Sequence, residues 1–169
     1  TILSVVTDPA LADSTAAQAA ALAQGFDAHL DILCFGVDRT QTGYYYAGAN
    51  AMVLQETLSR ATAEAEALAE TVRAALGKTD CRWAVEDGVA QLADIGRHVA
   101  ARARFADLVA LPRPYGKERG VELEPVVEGA LFEGHAPVMV MCDEASTATP
   151  ERIVVAWNES AEALRAIRE

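Results

Sequence analysis

Short β-branched apolar runs alternate along this chain with longer stretches that place an apolar residue every three or four positions. Ile2–Thr7 is the first short run, and Asp8-Pro9 closes it. It predicts a buried strand followed by a turn. Ala12–Gln24 is alanine-rich and predicts a helix that Gly25 stops. Leu30–Phe35 predicts a second strand, followed by Gly36 and a polar loop from Asp38 to Asn50. Leu54, Leu58, Ala61, Ala65, Leu68, Val72 and Leu76 step by three or four, so Ala51–Leu76 predicts a long helix with one apolar stripe. Cys81–Glu86 predicts a third strand closed by Asp87-Gly88, and Leu92, Ile95, Val99 and Ala103 mark the next helix.

The stretch from Asp107 to Met141 reads as strand, loop, helix, strand. Asp107–Leu111 and Val138–Met141 are the apolar runs, and Val126, Val127, Ala130 and Leu131 form a helix-period patch between them. Pro125 suits the first helical turn and Gly134 the position past its end. Strands alternating with helices imply a parallel sheet covered on both faces. Right-handed crossovers make that a doubly wound α/β domain. Ligands in such sheets bind beyond the carboxyl ends of the strands. Asp8, Gly36, Asp87-Gly88 and the Pro112–Gly120 loop are expected to gather there.

Three segments follow from the pattern. Residues 1–143 make the α/β domain. Residues 144–151 are polar, with Ser, Thr and Pro, and read as a linker. Residues 152–169 repeat the opening of the chain: after the strand-like run Arg152–Trp157, Ile153–Trp157 answers Ile2–Thr7, Asn158 answers Asp8, and a helix follows. They read as the first strand and helix start of a truncated second repeat.

Composition narrows the function. The chain has 169 residues, is 51% hydrophobic and carries a net charge of −11. That charge argues against nucleic acid and against an anionic membrane surface as partners. Cys34, Cys81 and Cys142 form no C-x-x-C pair, so they read as small buried hydrophobes in a reducing, cytoplasmic setting. His29, His98 and His135 lack metal-ligand spacing, and no metal site is expected. Ser14 and Ser160 lie in no nucleophile elbow, and no paired carboxylates stand out, so no enzyme is expected. Tyr44, Tyr45 and Tyr46, between Gly43 and Gly48, form a candidate sticky patch.

ILSVVTD, EDG, ADLVAL, VVEGALFEGHAPVMVM and IVVAWNES, taken in that order, resemble the universal stress protein family. The resemblance covers 1–142 and extends to the start of a second domain, as in tandem members. It implies an adenine nucleotide alpha hydrolase-like sheet in the order 3-2-1-4-5. It also implies association through the last strand, Val138, Met139, Val140 and Met141, as a homodimer or tandem pseudo-dimer.

The family's ATP motif is Gly, two residues, Gly, nine residues, Gly, then Ser or Thr. An ungapped placement puts Leu111, Pro114 and Glu124 at the glycine positions and Pro125 at the Ser/Thr position. Leu111 and Pro114 set side chains where a phosphate needs bare backbone, and both prolines lack an N–H. Glu124 sets a carboxylate at the helix start, where it would repel a triphosphate. The expectation is a stress-response module without a cofactor, acting through dimerisation and an unknown protein partner. The alternative is an ATP-binding member, even a slow ATPase, using a shifted loop. The ligand-contacting set would then be Asp8, Gly36, Arg113, Gly116, Lys117 and Gly120.

Overall fold

A strand forms where a β-branched run finds hydrogen-bonding neighbours on its edges, and five runs in this chain do so. The computed structural model describes residues 1–39, 51–117, 119–142 and 152–168. β1 is Ile2–Val6, β2 His29–Asp38, β3 Arg82–Gln91, β4 Leu108–Pro112 and β5 Val138–Met141. They make one five-stranded sheet in the order β3-β2-β1-β4-β5. Every pairing is parallel. The expected doubly wound fold and strand order are therefore present. The Tyr44–Tyr46 patch lies outside the described residues.

The helices are α1 (Ala12–Gly25), α2 (Ala51–Leu76), α3 (Ile95–Ala103), α4 (Leu123–Glu128) and α5 (Ala161–Arg168). A π-helical turn, Gly129–Glu133, continues α4. β1 is buried along its whole length, and its alternate residues feed two cores. Ile2 and Val6 join Leu30, Ile32, Cys34 and the buried faces of α1 and α2. Leu3 and Val5 join Leu33, Val37, Val109, Leu111 and the buried faces of α3 and α4. In α1 the buried face is mostly alanine, which lets the helix lie close to its neighbours.

Several boundaries differ from those read in the sequence. β2 and β3 run on together to Asp38↔Gln91, so Gly36 and Asp87-Gly88 are strand residues and not turns. Gly36 instead admits α2: a Cβ there would stand 1.7 Å from the Ala61 carbonyl oxygen. Leu92 lies in the turn before α3. On α2, Ala61, Ala65, Leu68, Val72 and Leu76 are buried, but Leu58 is exposed. Past Gly129 the helix widens, and Leu131 turns outward while Val126 and Ala130 stay buried. Of the cysteines, Cys34 is buried, Cys81 half-buried and Cys142 exposed.

Arg152–Trp157 forms no strand. Ile153 and Val154 are 85% and 95% exposed, and no described strand pairs with the segment. A β-branched run without an open edge beside it has no place for its backbone hydrogen bonds in a ladder. The local echo of the chain's start does persist. Asp8 Oδ1 accepts from Ala10 N at 2.9 Å, and Asn158 Oδ1 accepts from Ser160 N at 3.1 Å. Each makes the same side-chain turn two residues ahead, just before a helix.

Candidate functional site

The strands do not end level at their carboxyl ends. The β1–β2 register stops at Val6↔Cys34, whereas β2 continues to Asp38. Asp38 O accepts from Leu92 N on the β3 side. Alternation then turns the Val37 carbonyl toward the side where β1 has already stopped. Arg39 folds back to it, with Nη1 3.5 Å from Val37 O. Its Nη2 donates to Glu122 Oε1 at 2.7 Å. Glu64 on α2 stands 3.7 Å from Nη1.

Glu122 precedes α4, in the loop after β4, and is 2% exposed, while Arg39 is 47% exposed. β1 lies between β2 and β4 in the sheet. An ion pair joining the residue after β2 to the loop after β4 therefore passes over the end of β1. This is the crevice in which doubly wound sheets take their ligands. Two buried side-chain oxygens there, Thr7 Oγ1 and Glu122 Oε2, have no hydrogen-bond partner among the described residues. Buried polar atoms are nearly always paired, which marks this spot in the molecule.

The residues singled out in the sequence fall around this pair with different roles. Asp8 makes the turn described above, which is the work of a turn former. Gly36 faces α2 and not the crevice. Arg113 and Lys117 are exposed, and Gly116 has φ +131, where only glycine is unstrained. Gly120 is filled in: a Cβ there would lie 2.6 Å from Glu122 Oε1. Leu111 lies inside β4, paired with Val140 and fully buried, so it lines a core and no loop. Pro114 is buried and Pro125 sits in the first turn of α4.

The carboxylate tucked in at the start of α4 is Glu122, not Glu124. Glu124 is exposed. Its charge, with burial and the Glu128 charge adding to it, pushes the Tyr115 phenol above its ordinary value. No local pattern marks Glu122, since a lone glutamate in a loop reads as solvated. The usable clue was a glycine two positions before it and an arginine just past a strand.

A recess of about 40 Å³ opens between α1 and the ends of β4 and β5, lined by Ser14, Gln18, Pro112 and Arg119 among others. Ordinary small-molecule pockets span roughly 300–1,000 Å³. A larger groove, about 260 Å³, lies on the amino-terminal half of β1–β3, between Leu33, Ala84 and Phe105. Its lining does not include Thr7, Arg39 or Glu122. Among the described residues, no cluster of His, Cys, Asp and Glu could hold a metal ion, and no helix is long and apolar enough to cross a membrane.

β5 is a sheet edge, and it carries exposed Met139 and Val140, with Leu131 and Phe132 exposed just before it. Val138 is half-buried and Met141 buried. An apolar edge strand invites pairing with another chain.

No family model and no curated protein matches the chain. Among solved structures, a universal stress protein from Archaeoglobus fulgidus is similar to it at 12% sequence identity and a TM-score of 0.46. The likeness covers 82% of this chain and 96% of that one.

Proposed function

We propose that this chain is a universal stress protein-type stress-response module, working through dimerisation and partner contacts and not through ATP. The observation that carries this reading is the Arg39–Glu122 pair. It spans the crevice that a nucleotide would enter, and it places a carboxylate where a triphosphate would need donors. The sheet order and the sequence marks of the family support the family assignment. The exposed apolar edge at Met139 and Val140 supports a homodimer or a pseudo-dimer built on β5. In this reading residues 152–168 are the opening of a second such unit, as the shared Asp8 and Asn158 turns suggest.

The test is to heat the purified protein and chromatograph what it releases. The expected result is no adenine nucleotide, with calorimetry showing no micromolar ATP binding. Stoichiometric release of ATP or ADP would sink the reading in favour of an ATP-binding member that uses Gly116 and the shifted loop.

A further inference from the structure

Glu122 is an unusual carboxylate for a loop. It is 2% exposed, and the Arg39 guanidinium donates to it. The chain before it is shaped around it: a Cβ on Gly120 would stand 2.6 Å from Oε1 and 2.8 Å from Oε2. Only a glycine leaves room for the carboxylate in this place. Oε2 receives no hydrogen bond from any described residue.

We propose that Glu122 is an internal ligand: its carboxylate fills an anion site built from Arg39 and the Gly120 turn. A small phosphate- or carboxylate-bearing anion binds Arg39 there once Glu122 swings out. The proposal rests on the reading above in one respect, that this crevice is the ligand end of the sheet. A carboxylate and a phosphate make the same bonds to a guanidinium, so what satisfies Arg39 now defines what can replace it. Among the described residues only Oε1 is hydrogen-bonded, so displacement breaks one charge-assisted hydrogen bond there and returns Oε2 to water. The same loop carries Arg113, Lys117 and Arg119. The acid beside the pair is Glu64, 3.7 Å from Arg39, and Asp8, Asp38 and Glu124 follow in the neighbouring segments of the chain. A monoanion gains little against that set, and a polyanion gains more.

The test is calorimetric titration of tripolyphosphate and of citrate into the unmodified protein and two variants. Glu122→Gln keeps the shape and removes the charge. Gly120→Ala keeps the charge but evicts the carboxylate by contact, at a backbone position outside the left-handed region. Both variants are expected to bind at least one of the anions tenfold or more tightly than the unmodified protein. Adding Arg39→Ala to Glu122→Gln is expected to abolish that gain. Tripolyphosphate alone would mark a phosphate site, and both anions alike a general polyanion site; either supports the proposal. It is overturned if both variants melt as the unmodified protein does and bind neither anion better, or if Arg39→Ala leaves the gain intact. Should Glu122→Gln fold poorly, Gly120→Ala alone decides. Nucleotide released from the unmodified protein bears on the function proposed above, whereas the gain in the variants bears on this site alone.

Discussion

The Cα of Gly36 lies so close to α2 that an added methyl carbon would stand 1.7 Å from the carbonyl oxygen of Ala61. The atom in the way is backbone, so relief requires the helix to move off the strand. Overpacking of a core ordinarily costs about 1–3 kcal/mol, and more where backbone must shift. Gly36→Ala is therefore expected to lose about 3 kcal/mol or more in urea denaturation. A variant of unchanged stability would remove the packing explanation for this glycine.

Arg39→Ala leaves the Glu122 carboxylate buried without its cation. Breaking a buried pair typically costs about 3–5 kcal/mol. Arg39 is half-exposed, and water screens it, so roughly 1–3 kcal/mol is expected here. The double variant Arg39→Ala/Glu122→Leu should recover much of the loss, because no charge is then stranded. A double-mutant cycle measured by chemical denaturation checks both statements. Additive losses would mean that the pair is not coupled.

Burial pushes the Cys34 thiol up to about 12; the Arg73 charge opposes this and the Asp87 charge adds to it. The unfolded thiol titrates at its ordinary value of 9.0. Above that value the unfolded chain gives up a proton that the folded chain keeps. The folded state then binds more protons, so stability falls as pH rises, by up to about 1.4 kcal/mol per pH unit. Cys34→Ala should show a shallower loss between about pH 9 and 12 than the unmodified protein. At pH 8 a disulfide reagent should label exposed Cys142 quickly and Cys34 only on unfolding. Fast native labelling of Cys34 would contradict its burial.

Val140 is exposed on the β5 edge, so a charge placed there does not disturb the core of one chain. Val140→Lys is expected to leave the melting temperature of the monomer unchanged. It should shift a dimer to monomer in light scattering, since a charged side chain on an edge strand opposes pairing with another chain. A dimer that survives the substitution would move the interface elsewhere.

Most of the fold was legible because its signals are local. Helix α2 announces itself through the spacing of Ala61, Ala65, Leu68, Val72 and Leu76, and all five are buried. Strand ends were misread where a glycine serves tertiary packing: Gly36 looks like a turn in the sequence and is a contact point for Ala61 in the fold. The site was harder still. Its central pair joins residues 83 positions apart, and no local pattern couples them. Glu124 does stand in the first turn of α4, as its position predicts, but the buried acid is Glu122, whose place depends on where the loop turns at Gly120. Arg152–Trp157 has the composition of a strand, but composition supplies no neighbouring edge.

The early end of β1 also shapes how anything arrives. β2 stands four residues taller than its partner, Phe35 to Asp38, a step of roughly 13 Å at about 3.3 Å per residue. On the β4 side the strands end level and the loop that carries Glu122 begins, whereas a visitor from the β2 side meets a wall. The doorway is lopsided, and Arg39 is hinged on its taller post.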